Sequence, residues 1–426
     1  MEALGRETGE QVRTGSGGRQ RAVTGRLQQL AITAPQRLFD FRNVSAMSWL
    51  RHRRPILRVG NAVVVSRRED VLSVLDDTTT FAPPYTTGLA SGFVLGLTGE
   101  DYRRHHRALE GLLRPGDHQH LRQEMADIAT AAVAAADPDG MAVGRELVRP
   151  VLIDLVARYV GIGRTPPDVL LDWSRAIFQD IFLNNADLSQ IHRAGDGAAA
   201  EVRHVVERAL VERRSVPIRD RPDDLLTRIM AVERAPERPD GLTQAEIVDN
   251  IIGLAIGWFW HATKAAMVAI DGLLDRREAL VIATAAARDS DMEQLQRVLW
   301  EVLRFRPVQV GLPRTCPDGA ILGRGTPYET VVPPHAFVLA GTHSAMWDDS
   351  VVPDPARFDV TRSDGQYLVF GSGPHRCMGE ALVRGQLPTM LAPLLAVDGL
   401  SRAAGRRGRL TWVDASPDEL WVQFSR

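Results

Sequence analysis

Ten consecutive residues, Phe370-Gly371-Ser372-Gly373-Pro374-His375-Arg376-Cys377-Met378-Gly379, constrain this chain more than any other stretch. They read as a glycine-rich loop and a cysteine, followed by an apolar helical run from Ala381 to Leu391. A thiolate at a helix N-terminus is stabilised by the macrodipole and by orphan backbone N–H groups, which lower its pKa. That environment suits a permanently ionised metal ligand. Gly371 and Gly373 allow backbone conformations that a Cβ would block, so the loop can lie flat against a large planar cofactor. Only two cysteines occur in the chain, which argues against a disulfide framework and fits a reducing compartment.

Composition removes several classes of function. The 426 residues carry a formal net charge of -2, whereas phosphate binding needs a concentrated basic surface. Nucleic acid is therefore not expected as a partner. The sequence reading finds no apolar run of about 18 residues and expects no membrane span. Residues 1–37 read as a disordered or loosely ordered leader, polar and without the apolar core of a secretory signal. Residues 38–426 read as a single domain, and a cytoplasmic location is expected. Lys264 is the only lysine, a bias that points to a high-G+C, bacterial genome.

Along the chain, Ile56–Val59 and Ala62–Val65 read as a hairpin around Gly60-Asn61, followed by a helix from Arg68 to Asp76. The aperiodic stretch Phe81–Thr98 is a candidate functional loop. A helix from Asp101 to Leu113 opens on Asp101-Tyr102-Arg103-Arg104-His105-His106-Arg107, whose basic side chains repel one another unless an anion is near. Further helices are expected over 121–136, 144–160, 168–183 and 197–214. Thr243 and Glu246 form a capping-box signature, and the helix they start runs without proline to about Asp275. Its length and apolar character make it a core-spanning element.

The complete pattern Phe-Gly-x-Gly-x-His-x-Cys-x-Gly resembles the haem-binding loop of the cytochrome P450 family. That resemblance implies a mainly α fold with a small β-rich subdomain, haem lying between the long central helix and the cysteine loop. It implies haem b as cofactor, with Cys377 as the metal ligand and Phe370, Gly371, His375 and Gly379 shaping its seat. Glu301 and Arg304, with Arg357 further on, resemble the family's buried Glu-Arg-Arg network. Arg314 and His375 would bind the haem propionates. In the basic helix both Tyr102/His106 and Arg103/Arg107 match the family's spacing, so either His106 or Arg107 would contact a propionate. The family's Asn-Arg-Asp-Pro turn is degenerate here, Ala345-Met346-Trp347-Asp348-Asp349. The resemblance covers most of the chain after residue 38 and is specific from Glu301 to Gln386.

The central helix departs from the family. There an acid followed by an alcohol delivers the protons needed to cleave dioxygen. Here the stretch is Gly257-Trp258-Phe259-Trp260-His261-Ala262-Thr263-Lys264. One register puts Phe259 and Trp260 at the acid and alcohol positions, and the next puts Trp260 and His261 there. Neither supplies a carboxylate, and an indole is a donor only. Gly257, Trp260 or His261, and Lys264 share a face at helical spacing. His261, Trp260 and Thr263 are the candidate catalytic residues, with Gly257 beside the cofactor. His261 could relay a proton, bind a polar substrate group or ligate the iron.

The resemblance implies a haem-thiolate oxidoreductase acting on a small apolar or aromatic metabolite in secondary metabolism. The missing acid–alcohol pair favours non-standard chemistry: oxygen-independent reaction, or activation of a peroxide or N–O substrate, giving C–N or C–C bond formation or rearrangement. The alternative is an ordinary dioxygen- and ferredoxin-dependent monooxygenase with substrate- or histidine-assisted proton delivery. A non-catalytic partner protein and a haem sensor are readings of another class. Ferredoxin and ferredoxin reductase are compatible partners, with Arg376 and Arg384 as the basic residues near the loop.

Overall fold

In the computed structural model, residues 44–85, 88–114, 116–163, 165–184, 188–238 and 240–425 are described; the expected leader lies outside them. The capping box forms as the spacing predicts. Thr243 Oγ1 accepts from the Glu246 N–H at 3.3 Å, and Glu246 Oε2 accepts from the Thr243 N–H at 2.7 Å. The central helix that follows, Gln244–Leu274, has 31 residues, about 46 Å at 1.5 Å per residue. It is long and apolar enough to cross a membrane, which the sequence reading missed because Asn250, His261 and Lys264 interrupt the run. Of its most apolar window, 67% is buried inside the protein. It is a core helix.

The fold is mainly helical with small sheets, as expected. Strands β1 (Ile56–Val59) and β2 (Ala62–Val65) pair antiparallel around Gly60, whose φ of +61° suits a glycine in a tight turn. Later strands β3 (Leu312–Cys316) and β4 (Ala336–Ala340) complete a four-stranded sheet of order β1-β2-β4-β3. β2 and β4 run parallel, with Val63 opposite Val338. That register turns Val63, Val65, Val338 and Ala340 into the interior. One hydrophobic cluster surrounds the central helix and a smaller one lies against this sheet. Phe358 and Val369, in the segment leading to the cysteine loop, pack against both.

The helix after the loop spans Glu380–Leu395 with Gly379 as N-cap. Cys377 therefore precedes the helix by three residues and does not open it. The helix expected from Asp101 runs Gly99–Glu110, and that expected over 197–214 is longer, Ser189–Ser215.

Candidate functional site

The cysteine loop is tied from within and clamped from outside. The Cys377 N–H donates to Phe370 O at 3.0 Å, and the Arg376 N–H donates to Gly373 O at 3.0 Å. Gly371 and Gly373 have φ of +76° and +72°. A Cβ on Gly373 would lie 2.4 Å from Leu75 O, and one on Gly371 would lie 3.0 Å from Leu312 Cδ1. These glycines thus admit neighbouring protein as well as turning the chain. Phe370 packs edge-on against Trp300, ring centroids 5.5 Å apart.

Cys377 presents accessible surface, yet burial pushes its thiol pKa up, against the N–H groups of Gly379 and Glu380. The side chain is thus reachable although protein closely surrounds it. The sequence reading expected a lowered pKa; burial outweighs the helix terminus because the helix begins three residues later. In the protein alone the sulfur is a thiol, and a coordinated metal would deprotonate it.

Behind the loop sits a carboxylate shared by two guanidinium groups. Glu301 and Arg304 are fully buried and bidentate, with Nε–Oε2 at 2.9 Å and Nη2–Oε1 at 2.8 Å. The third member is Arg362, whose Nε donates to Glu301 Oε1 at 3.2 Å. Arg357, expected there, is exposed and offers only its carbonyl, to Arg304 and Arg362. Sequence spacing could not choose between two arginines five residues apart; the turn after Pro355 did. Tyr367, which sequence reasoning missed, donates to Glu301 Oε2 at 3.2 Å, three residues before the loop. In the degenerate turn, Met346 O accepts from Arg304 and the Trp347 indole donates to Arg304 O.

Unpaired buried donors gather on one side of the loop. Arg314 on β3 is 4% exposed. Its Nε has no partner, and no carboxylate among the described residues pairs with it. Burial lowers its pKa. His375 Nε2 is likewise buried without a partner, and burial, with Arg314 and His106 nearby, pushes the imidazole down to about 4. Tyr102 stands 4.3 Å from the His375 ring and 5.3 Å from the His106 ring. Of the two registers in the basic helix, Tyr102/His106 is the one turned to this cluster. Arg107 is 63% exposed and paired with Glu100, so its assignment to the cofactor fails. The rest of the basic run is neutralised internally: Arg103 by Glu100, Arg104 by Glu246, and His105 between Asn250 and Glu246. Tyr85, close enough to Arg314 to feel its charge, was not singled out from sequence.

The central helix sorts its aromatic residues by direction. Phe259 is fully buried in the core. Trp260 is 2% exposed, stacks on Phe178 with centroids 3.4 Å apart, and donates its indole N–H to Ser416 Oγ at 2.8 Å. That N–H is committed and cannot serve a proton relay. Thr263 lies 200° around the helix from His261 and is 2% exposed, so it faces packed core. Neither Trp260 nor Thr263 belongs to the partly exposed stripe, and the buried Thr263 Oγ1 has no hydrogen-bond partner. Trp258 donates to Gln386 on the helix that follows Cys377, at 3.0 Å.

Gly257, His261 and Lys264 form the partly exposed stripe. A Cβ on Gly257 would meet nothing within 4 Å. His261 Nδ1–H donates to Gly257 O at 2.7 Å, since a carbonyl can only accept. Burial pushes this imidazole down to about 4, which leaves a neutral ring with its lone pair on Nε2. A chain of ring contacts, Tyr85–Phe182–Phe178–Trp260–His261, runs from the neighbourhood of Arg314 to this stripe.

His343, fully buried with neither ring nitrogen hydrogen-bonded, is pushed down to about 3 by burial and by Arg304 and Arg51. Histidines whose folded pKa is depressed take up protons on unfolding, so stability is full above about pH 6.5 and falls as pH drops toward their folded values. His343 alone should contribute about 1.4 kcal/mol per pH unit below pH 6, and His261 and His375 act in the same direction. Denaturant midpoints between pH 7 and 4.5 should decline, with a shallower decline for His343→Gln. A flat wild-type profile would contradict this placement.

Arg376 and Arg384, the basic pair near the loop, both bind Glu380, and Arg384 also binds Asp364 at 2.9 Å. Their charge is largely compensated, which weakens them as a docking patch for an acidic electron donor.

An accessible thiol suits a planar group with a metal centre and an anionic edge, given a buried guanidinium that binds Pro313 O but no carboxylate and a buried imidazole nitrogen without a partner. A protein-family description, Cytochrome P450, matches residues 269–396. The chain is 26% identical over 401 residues to mycinamicin IV hydroxylase/epoxidase of Micromonospora griseorubida, covering 85% of this chain and 91% of that protein. It is 25% identical over 367 residues to nocardicin C N-oxygenase of Nocardia uniformis subsp. tsuyamanensis, covering 81% and 85%. A solved structure of a P450 EryK mutant with erythromycin B superposes with a TM-score of 0.75 at 22% identity, covering 92% of this chain and 97% of the other. The fold is the same.

Proposed function

The chain belongs to the cytochrome P450 family, and on that premise we propose a haem-thiolate enzyme of bacterial secondary metabolism that acts on a small apolar or aromatic metabolite. Haem with an axial thiolate supplies oxidative chemistry, because the sulfur pushes electron density onto the iron. Cys377 would be that ligand, with the Gly379 and Glu380 N–H groups directed at its sulfur. Arg314, His375 and His106 would hold the anionic edge, where their unpaired or weakly paired donors gather. Gly257, bare of side chain, leaves room on the opposite side.

The reaction reading rests on one observation. The partly exposed stripe of the central helix carries Gly257, His261 and Lys264, and none of them has a carboxyl or hydroxyl group. His261 has its N–H on Gly257 O, so at neutral pH its other nitrogen accepts a proton and does not donate one. The chemistry is therefore one that draws no protons from an acid–alcohol pair: peroxide or N–O substrate activation, or an oxygen-independent coupling or rearrangement. The relatives' names, a hydroxylase/epoxidase and an N-oxygenase, favour a second reading. It is ordinary monooxygenation fed by ferredoxin and its reductase, with substrate, water or His261 handling protons.

Turnover of the purified haem protein decides between them, compared under anaerobic conditions without reductant, with peroxide, and with dioxygen plus an electron source. Product only under the last condition ends the first reading. Under the first reading His261→Ala keeps turnover within about tenfold; as a proton relay its loss costs about 10²-fold or more.

A further inference from the structure

His261 stands against two aromatic rings whose placement depends on a hairpin far along the chain. Phe178 and Trp260 stack face to face, with centroids 3.4 Å apart and planes 10° apart. The imidazole meets both edge-on, Phe178 at 5.4 Å and 76°, Trp260 at 5.0 Å and 78°. Edge-to-face contact is a preferred arrangement of aromatic rings, and two nearly parallel partners restrict the imidazole to planes perpendicular to the stack. The hydrogen bond from Nδ1 to Gly257 O selects among those planes.

Ser416 holds Trp260 in that orientation. Stacking alone leaves an indole free to turn over on the Phe178 ring, because either of its faces can stack. The hydrogen bond from the indole N–H to Ser416 Oγ, 2.8 Å long, selects one of the two. A flipped indole would leave that buried N–H without its acceptor, which is unfavourable. Ser416 is itself buried, on a two-residue strand, Ser416–Pro417, paired with Trp412–Val413. The strand is fastened two and three residues further on. Asp418 accepts from Arg175 at 2.8 Å, and Glu419 accepts from the Gly144 and Arg145 N–H groups at 2.7 and 3.1 Å. Arg175 precedes Phe178 by three residues on the helix Pro167–Phe178, a spacing that puts both on one side of it. The contacts therefore close on themselves. Arg175 holds Asp418, Ser416 holds Trp260, and Trp260 lies on Phe178.

We propose that Ser416 is a positioning residue for His261, acting through Trp260, and that the Arg175–Asp418 pair keeps Ser416 in reach of the indole. The imidazole so fixed presents Nε2 in one direction, which sets where a substrate group can meet it. The proposal deepens the functional reading above and rests on it for the role of His261.

Histidine NMR of the ferrous, CO-bound protein tests it, with the His261 resonances identified by their loss in His261→Gln. Wild-type His261 should be a single Nδ1–H tautomer. Ser416→Ala should admit the second tautomer and move the imidazole titration upward by about one pH unit or more, as the loosened ring gains water. Ser416→Thr, which keeps the hydroxyl, should stay close to wild type; a shift as large as that of Ser416→Ala would assign the effect to packing and overturn the proposal. In a Trp260→Phe background Ser416→Ala should add nothing. Unchanged His261 signals in a folded Ser416→Ala protein overturn the proposal, and so does an equal shift in the Trp260→Phe background. Should Ser416→Ala not fold, Asp418→Asn decides: a smaller shift in the same direction supports the proposal, and unchanged signals overturn it. A CO difference spectrum on the same samples separates the two levels of the argument. Without a thiolate band the haem reading falls, while the coupling of Ser416 to His261 is still read from the chain itself.

Discussion

Glu301→Gln should destabilise the protein by about 3–5 kcal/mol, the cost of leaving buried guanidinium groups without their carboxylate. Arg304 and Arg362 both turn to Glu301, which is completely buried and also accepts from the Asp359 N–H and the Tyr367 hydroxyl. Domains are stable by only about 5–15 kcal/mol, so the variant should accumulate poorly and melt well below wild type. Arg362→Ala should fall in the same range. Arg357→Ala should stay within about 0.5 kcal/mol, since its exposed side chain takes no part in the network. Denaturant midpoints of the three variants check this. Equal losses for Arg357 and Arg362 would restore Arg357 to the network.

Cys377→Ala should abolish the thiolate-dependent CO band and lower turnover about 10³-fold or more, at least 4 kcal/mol of barrier. Folding should survive, because the side chain is accessible and is no member of the buried core. Cys316→Ala is the control. Cys316 is fully buried on β3, so its loss should cost some stability and leave the spectrum intact. A thiolate band persisting in Cys377→Ala would move the ligand elsewhere. Persisting activity without the band would point to chemistry independent of haem.

Both predictions draw on features read from sequence to different depths. Glu301 and Arg304 are three apart on one helix, and that spacing brings them together in any context. The third partner is 61 residues away along the chain, and nothing local distinguishes Arg357 from Arg362. The basic helix shows the same limit. Its period offered two equivalent pairs, and only the tilted ring contact of Tyr102 with His375 and the outward turn of Arg107 select one. On the central helix, periodicity placed Gly257, His261 and Lys264 on a common face. Whether Trp260 joined them depended on Ser416, 156 residues further on.

Elements whose causes are local were legible from the residues alone: the capping box at Thr243 and Glu246, the hairpin at Gly60, and the glycine loop that ends in Cys377. Each depends on residues within about ten positions, and backbone sterics and short-range hydrogen bonds act at that range. Which side chains come together around the loop, and what charge they carry there, was set by long-range packing. Burial is a property of everything packed around a group. It raised the Cys377 thiol and held His261 neutral.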